Sequence, residues 1–186
     1  HGIELNQTTR VQVTYDRDDY CQYVAVDDSH KGDGMHAESP LVADALVTTD
    51  KNHALFLPVA DCVGTVIYDP IHEVLMVSHL GRHSLTQKGG TKSVEYLVDH
   101  YGSKPRDLRI WTTPAPNKEA YPIWDLGNKG FKEALFEQLE GAGVLKENIT
   151  DNPADTVTDK NYYSYSEFLK GNREEDGDYA IVAMMR

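Results

Sequence analysis

Short apolar runs separated by clusters of polar turn residues dominate this chain, and the pattern predicts many strands and few helices. Each predicted strand is short, rich in β-branched or aromatic residues, and bounded by turn residues. The predicted strands cover residues 11–15, 22–26, 43–49, 54–59, 64–68, 74–79, 108–112 and 179–185. Apolar residues at helical spacing predict helices over 91–101 and 129–141, and a weaker pattern predicts a short helix over 164–169.

The order of these elements indicates the fold class. The predicted strands outnumber the helices and follow one another in runs, so they do not alternate one for one with helices. This order favours an α+β fold with mixed β-sheets and flanking helices over a doubly wound α/β sheet. The chain has 186 residues and no internal repeat or low-complexity tract, and a single domain over 1–186 is expected.

Charge and composition narrow the classes of partner. The formal net charge of −12 argues against nucleic acid and anionic membranes, because their phosphate groups repel an acidic surface. No apolar run approaches the ~20 residues that a bilayer-spanning helix needs. Only two cysteines are present, which predicts no disulfide framework and favours a reducing cytoplasm. A small-molecule substrate is expected, with the protein a monomer or a homodimer.

The main chemical feature is a cysteine and a histidine that each close an apolar run. Cys62 ends the run that starts at Ala54, and His79 ends the run that starts at Val74. A turn at Asp69 and Pro70 between the intervening runs can bring both side chains to one place. A thiol beside an imidazole can ligate a metal ion, or it can act as a nucleophile with its base. Simple burial of both side chains is the third interpretation.

Residues 43–85 resemble the core of the YfiH family, also called the laccase-domain, multicopper polyphenol oxidoreductase or peptidoglycan editing factor family. Three stretches carry the resemblance, and their order and spacing follow the family pattern. They read Ala-Asp-Ala-Leu-Val-Thr at 43–48, Ala-Asp-Cys at 60–62 and Ser-His-Leu-Gly at 78–81. Weaker similarity extends to both ends of the chain, and the resemblance implies that the family's N-terminal segment is absent.

The resemblance implies a YfiH-like fold and a single metal site formed by two histidines and one cysteine. It also implies activity on purine nucleosides, by phosphorolysis or deamination. Cys62 and His79 fall on two of the metal ligands, with zinc as the expected ion and copper as the alternative. The family's first histidine falls on Thr14, and since a hydroxyl is a poor zinc ligand the site is expected to be weakened or empty.

Other departures from the family pattern concern groups that bind anions. The family's tryptophan and arginine after the histidine strand fall on Arg82 and His83. Two later family arginines fall on Ser166 and Asp178, and the family's glycine- and cysteine-bearing segment falls on 112–117. Loss of guanidinium groups weakens phosphate binding, because the planar fork of arginine matches phosphate oxygens.

The leading hypothesis is therefore a purine nucleoside-processing enzyme, with phosphate as a possible co-substrate. The catalytic candidates are Cys62, His79, His83 and Arg82, and the substrate-binding candidates are Thr14, Asp61 and Tyr163. The candidates for a third metal ligand are His83, Asp16, Cys21, His36 and His30.

Two alternatives belong to other classes. A metal-free hydrolase or deamidase would use Cys62 as nucleophile and His79 as base, with Asp61, Thr14 or Asp16 orienting the imidazole. A degenerate binding module would keep the scaffold without catalysis. Copper-dependent oxidation of phenols ranks last, because the chain has only eight histidines and they are scattered.

Overall fold

The computed structural model describes residues 2–36 and 41–186, which form nine strands and four α-helices within those ranges. The strands are β1 (Thr8–Arg10), β2 (Tyr23–Ala25), β3 (Ala45–Thr48), β4 (Ala54–Val59), β5 (Val63–Asp69), β6 (Val74–Leu80), β7 (Arg109–Thr112), β8 (Ile149–Asp151) and β9 (Tyr179–Met184). The helices are α1 (Arg82–Thr86), α2 (Gly89–Tyr101), α3 (Phe131–Gly141) and α4 (Tyr165–Leu169).

The strands form two mixed sheets. The larger has the order β2-β3-β6-β5-β7-β8, with parallel pairs at its two edges and antiparallel pairs at its centre. The smaller has the order β1-β4-β9, in which β1 is parallel and β9 antiparallel to β4. This arrangement confirms the predicted α+β class with mixed sheets and flanking helices.

The larger sheet is buried on both faces, which explains why its central strands read as continuous apolar runs. One face carries Val47 and Met76, which pack with Leu97 of α2 and Leu135 of α3. The opposite face carries residues such as Val77, which pack with the smaller sheet. The fold is therefore three layers: helices, the larger sheet and the smaller sheet.

Most predicted elements are found within one or two residues of their expected bounds, but one strand is misplaced and two elements, β8 and α1, are additional. The prediction of a strand over 11–15 is wrong: the strand is β1, and beyond Arg10 this segment has only an isolated bridge between Gln12 and Val42. β1 carries the polar side chains of Thr8 and Thr9, and β8 is only three residues long, so neither shows an apolar pattern. Helix α1 is likewise too short for a helical period to be recognised.

The antiparallel pair β5–β6 creates the environment of the predicted site. Its register places Val63 opposite Leu80 and Gly64 opposite His79. Cys62 directly precedes β5, so the thiol and the imidazole lie at the same end of the hairpin, as predicted. Helix α1 begins immediately after this end, and His83 is in the first turn of α1.

Candidate active site

Three polar atoms from three segments converge where β6 ends. The hydroxyl oxygen of Tyr15 lies 3.9 Å from Sγ of Cys62 and 3.5 Å from Nε2 of His79. His79 is 5% exposed, Cys62 is partly buried, and Tyr15 lies at the rim. The structure thus brings Cys62 and His79 together, and adds an oxygen that the sequence interpretation did not assign.

Gly81 leaves the space in which these side chains meet. A Cβ atom at position 81 would lie 2.7 Å from Sγ of Cys62, 3.1 Å from Cε1 of His79 and 3.5 Å from Nε2 of His79. Any larger residue would therefore displace the thiol. Because residue 81 has no side chain, the Cys62 thiol and the His79 imidazole can both face the space beside it.

A strained turn positions Cys62. The backbone N–H of Cys62 donates to the carbonyl of Ala60 at 2.8 Å, and the intervening Asp61 has a φ of +68°. A hydrogen bond between residues two apart and a positive φ between them define a tight γ-turn. This conformation costs free energy for a residue with a side chain. Asp61 is 3% exposed, and its two carboxylate oxygens accept hydrogen bonds from Oγ1 of Thr156 at 2.7 Å and from the N–H of Ser166 at 2.8 Å.

The backbone of His79 is fixed by Asp44, the residue that precedes β3. The backbone N–H of His79 donates to the carbonyl of Asp44 at 2.7 Å. The Asp44 carboxylate, which is buried, forms an ion pair with the Arg17 guanidinium at 2.6 Å. Burial lowers the pKa of His79 to about 4, and the nearby Arg17 charge lowers it further in the same direction.

The thiol is protonated in this environment. Burial raises the pKa of Cys62 to about 12, and the Asp61 carboxylate acts in the same direction, against the opposing effects of Tyr15 and Arg82. Desolvation also raises the pKa of the Tyr15 phenol, and the Cys62 thiol adds to the increase. At neutral pH the three groups are a neutral thiol, a neutral imidazole and a neutral phenol.

This donor set fits a single metal ion. Tetrahedral zinc with ordinary bond lengths sets its imidazole nitrogen and its oxygen ligand about 3.4 Å apart, and its thiolate sulfur and oxygen about 3.6 Å apart. The observed separations of 3.5 and 3.9 Å are within a few tenths of an ångström of those values. Thiolate and imidazole are also the ligand types that zinc and copper prefer.

The predicted third ligands are not part of this site. Among residues 2–36 and 41–186, no histidine, cysteine or carboxylate side chain completes a group of three with Cys62 and His79. The candidates His83, Asp16, Cys21, His36 and His30 do not form a preassembled group with Cys62 and His79 in this geometry, and a ligand role for any of them stays a prediction. The reason is the path of the chain after β1, which brings a residue with a phenol oxygen to this point.

Thr14 lies next to the site but its hydroxyl has a local partner. Oγ1 of Thr14 accepts a hydrogen bond from the N–H of Asp16 at 3.3 Å. The neighbouring Tyr15 supplies the oxygen that faces Cys62 and His79. The signal that could have identified Tyr15 is its position one residue beyond the threonine, together with its polar hydroxyl. The role of Thr14 in substrate binding stays a prediction.

Aromatic rings form one wall of the site. The rings of Tyr20 and His83 are stacked, with centroids 4.6 Å apart and an angle of 20° between their planes. Tyr15 contacts both rings, with centroid distances of 6.4 Å to Tyr20 and 6.1 Å to His83. No sequence pattern marked Tyr20, because the segment that carries it has no periodic structure.

The positively charged guanidinium of Arg82 lies beside this aromatic wall. Nη2 of Arg82 is 3.3 Å from Nε2 of His83, and the Arg82 charge is close enough to Cys62 to oppose the increase in the thiol pKa. Burial and Arg82 together lower the pKa of His83. A guanidinium only donates hydrogen bonds, so Nε2 of His83 is the acceptor and Nδ1 carries the proton.

Tyr163 and an apolar cavity lie away from Tyr15, Cys62 and His79. Tyr163 packs its ring against Gly177, and its predicted role in substrate binding stays a prediction. A cavity of about 1000 Å³ is lined mainly by apolar residues such as Phe56, Trp111 and Met185, and none of Tyr15, Cys62 and His79 lines it. The described residues include no helix that is long and apolar enough to cross a membrane.

Comparison with known proteins identifies similar sequences and folds. A family model described as "Multi-copper polyphenol oxidoreductase laccase" matches residues 5–136. "Purine nucleoside phosphorylase YlmD" of Bacillus subtilis (strain 168) is 29% identical over 108 residues, which are 58% of this chain and 39% of that protein. "Purine nucleoside phosphorylase ORF3" of Streptomyces griseus is 31% identical over 127 residues, which are 67% of this chain and 48% of that protein. The aligned regions thus span less than half of each relative.

Two solved structures show the same fold. The YfiH protein of Bacillus licheniformis superposes with a TM-score of 0.88 at 19% identity, covering 100% of this chain and 76% of that one. YlmD of Geobacillus stearothermophilus superposes with a TM-score of 0.83 at 17% identity, covering 99% of this chain and 76% of that one. The predicted YfiH-like fold is confirmed.

Proposed function

We propose that this chain, which belongs to the multi-copper polyphenol oxidoreductase laccase family, processes purine nucleosides at the site formed by Tyr15, Cys62 and His79. The reaction is phosphorolysis: the bond between the base and ribose C1′ breaks, a phosphate oxygen bonds to C1′, and the base leaves with a proton. The observation that carries the proposal is the convergence of Tyr15, Cys62 and His79 beside the stacked rings of Tyr20 and His83. The names of the relatives from Bacillus and Streptomyces support the substrate class.

Cys62, His79 and Tyr15 are the residues that would hold a metal ion, with zinc as the first choice and copper as the alternative. When bound, such an ion supplies a positive charge that polarises a substrate oxygen. The neutral imidazole of His79 offers its lone pair without losing a proton, because its pKa is lowered to about 4. The thiol of Cys62 must release a proton to become a ligand.

The stacked pair of Tyr20 and His83 provides a surface for the purine ring. A flat heteroaromatic base stacked on an aromatic side chain gains about 1–3 kcal/mol in proteins that bind nucleic acid bases. The wall lies next to Tyr15, so a base stacked there would place its ribose toward Cys62 and His79. This geometry favours a nucleoside over a substrate without a planar ring.

Arg82 and His83 supply the groups that phosphorolysis needs beside the ribose. The guanidinium of Arg82 is the positive charge closest to Cys62 among the groups that shift the thiol pKa, and it can donate hydrogen bonds to phosphate oxygens. The Nδ1–H of His83 can donate to a nitrogen of the departing base, since Nε2 accepts from Arg82. Both residues lie in the first turn of α1.

The metal-free hydrolase is disfavoured by the protonation states. A thiolate nucleophile needs a lowered thiol pKa and a histidine that accepts its proton. Here burial raises the pKa of Cys62 to about 12 and lowers that of His79 to about 4, so transfer of a proton from thiol to imidazole is unfavourable. The pair suits metal ligation, in which the ion replaces the proton.

The experiment that tests the proposal uses the zinc-loaded protein with adenosine and inosine, with and without phosphate. Phosphate-dependent release of the free base, lost in Cys62→Ser and His79→Gln, is expected. Inosine formed from adenosine without phosphate would show deamination as the reaction at this site. Nucleoside binding with no product after prolonged incubation would contradict catalysis and support the binding-module alternative.

A further inference from the structure

We propose that this chain holds a second metal site, for a divalent transition-metal ion, formed by Asp28, Asp50 and His53. One ring nitrogen of His53 and one carboxylate oxygen from each aspartate lie within 4.8 Å of one another. Asp28 begins a short 3-10 helix over Asp28–His30, and Asp50 and His53 both lie in the connection between β3 and β4. The site is independent of Cys62 and His79 and of the proposed nucleoside activity.

The protonation of His53 follows from its hydrogen-bond partner. Nε2 of His53 lies 2.7 Å from Oγ1 of Thr9, and that hydroxyl donates its only proton to the carbonyl of His30 at 2.6 Å. The hydroxyl must therefore accept from His53, so Nε2 carries the ring proton. Nδ1 is left with a free lone pair.

That lone pair has no partner in the part of the chain that the structure describes. His53 is 0% exposed, and Nδ1 is a buried atom without a hydrogen-bond partner among the described residues. A buried polar atom left unpaired costs about 1–3 kcal/mol, so such an atom calls for an explanation. Burial also lowers the pKa of His53, which keeps the imidazole neutral and able to ligate. A metal ion on Nδ1 supplies the missing partner.

The Thr9 contact has the form of an outer-shell support for a metal ligand. Ligating histidines commonly donate their other ring N–H to an oxygen, which fixes the tautomer and the orientation of the ring. Here Thr9, itself 0% exposed and fixed in β1, performs that role for His53. One imidazole and two carboxylates are a ligand set known for iron, manganese and zinc.

The Lys31 ammonium would compete with a metal ion for the Asp28 carboxylate. It forms an ion pair with Oδ1 of Asp28 at 2.7 Å, and it also lowers the pKa of His53. The ammonium thus partly neutralises Asp28 and would oppose a divalent ion. Lys31 therefore provides a test in which the affinity changes in the opposite direction. Removal of Lys31 should strengthen metal binding, whereas removal of a ligand should weaken it.

The test uses the full chain with Cys62→Ser and His79→Gln, in which the first site is disabled. After treatment with a chelator, Zn²⁺ and Mn²⁺ binding is measured by equilibrium dialysis with elemental analysis. One equivalent of metal is expected, with the affinity reduced by ~10-fold or more by Asp50→Asn or Asp28→Asn, which remove one ligand each. Glu73→Gln is the matched control, since it neutralises a carboxylate that pairs with Lys51 in the adjacent turn, and it should leave the affinity unchanged.

Lys31→Met should increase the affinity in the same background, and His53→Gln should abolish binding. Because His53 is buried, its variant is judged only if its far-UV spectrum and unfolding midpoint match those of the metal-free parent. The exposed Asp28 variant does not carry that risk. The proposal is overturned if the double variant binds no metal at millimolar concentration, or if Asp50→Asn and Glu73→Gln have equal effects.

Discussion

The hydroxyl oxygen of Tyr15 lies 3.5 Å from Nε2 of His79, although 64 residues separate them. The contact exists because the chain leaves the smaller sheet after β1 and passes over the end of β6. Family resemblance aligns Thr14, not Tyr15, with the family's first histidine. The structure shows that the neighbouring residue reaches the site. In the proposed metal site, the position that looked like a lost ligand would be a change from imidazole nitrogen to phenol oxygen, displaced by one residue.

Substitution of Tyr15 by phenylalanine should weaken metal binding. The change removes only the oxygen and keeps the ring that contacts Tyr20 and His83. We expect the zinc affinity to fall by ~10-fold or more, as for loss of one ligand from a three-ligand set. Competition with a chromophoric chelator measures it. Thr14→Val is the matched control, and equal losses in the two variants would show that Tyr15 is not a ligand.

Zinc binding should release protons and should become tighter as the pH rises. The thiol of Cys62 is protonated at neutral pH because its pKa is raised to about 12, and the pKa of the Tyr15 phenol is also raised. His79 releases no proton above pH ~6, because its pKa is lowered to about 4. Each released proton adds about one log unit of affinity per pH unit, so a slope near two is expected between about pH 6.5 and 8.5.

The slope distinguishes the two ligands that must lose a proton. Cys62→Ser and Tyr15→Phe should each reduce it by about one, and Thr14→Val should leave it unchanged. Calorimetry in buffers with different ionisation enthalpies counts the same protons independently. A wild-type slope near zero would mean that zinc binds elsewhere on the chain.

Much of the fold could be predicted because its central strands are buried on both faces. Residues 54–59, 64–68 and 74–79 read as continuous apolar runs, and each is a strand within one residue of its expected bounds. The antiparallel turn between β5 and β6 then fixes the proximity of Cys62 and His79. Sequence order was therefore enough to predict that these two side chains lie close together.

The rest of the site depends on segments without periodic structure. Tyr15 and Tyr20 lie in a loop, and their positions follow from tertiary contacts such as the hydrogen bond of the Tyr20 N–H to Oε1 of Gln87 at 2.9 Å. Helix α1 is five residues long, which is too short to show a period. No pattern related Asp28 to Asp50 and His53, because it is the parallel pairing of β2 with β3, with Ala25 opposite Val47, that brings the segment after β2 beside the turn after β3.

Gly81→Ala should disrupt the site with little effect on the remainder of the fold. The new Cβ would lie 2.7 Å from Sγ of Cys62, so the thiol must move. The φ of Gly81 is −89°, which alanine accepts, so the effect is steric and local. We expect a loss of zinc affinity of at least ~10-fold.

Gly141→Ala is the matched control for that substitution. Its Cβ meets no atom within 4 Å, and Gly141 is the last residue of α3. Alanine there should change stability by less than ~1 kcal/mol, in the stabilising direction, and leave zinc affinity unchanged. If Gly81→Ala bound zinc as tightly as Gly141→Ala, the convergence of Cys62 and His79 on one ion would be refuted.

Tyr20→Ala should raise the KM for a nucleoside more than it lowers kcat. The ring of Tyr20 stacks on His83 at 4.6 Å and is not among the atoms that converge at the proposed metal position. Loss of a stacking surface worth about 1–3 kcal/mol corresponds to a ~5- to 150-fold weaker interaction with the base. Tyr20→Phe keeps the surface and should behave as wild type. A defect confined to kcat would place Tyr20 outside the base-binding wall.

The last prediction concerns Asp61, whose strained backbone aims Cys62 at the site. Asp61→Ala removes both acceptors of the Thr156 and Ser166 hydrogen bonds and keeps a Cβ at a φ of +68°. We expect a loss of about 2–4 kcal/mol in the free energy of unfolding, because the two donors are left unpaired while the backbone strain is common to both proteins and is not relieved.

Asp61→Gly separates the two causes. Glycine relieves the backbone strain but loses the same hydrogen bonds, so it should be more stable than Asp61→Ala by about 1 kcal/mol. Glu73→Ala provides the exposed comparison, since Glu73 also has a positive φ, of +51°, but its carboxylate makes only a half-exposed ion pair with Lys51. Its loss should stay below ~1 kcal/mol in urea denaturation, as is usual for surface substitutions. Both Asp61 variants should also weaken zinc binding, because the position of the thiol depends on this turn. Unchanged zinc affinity in a destabilised Asp61→Ala would show that the turn supports the fold without positioning Cys62.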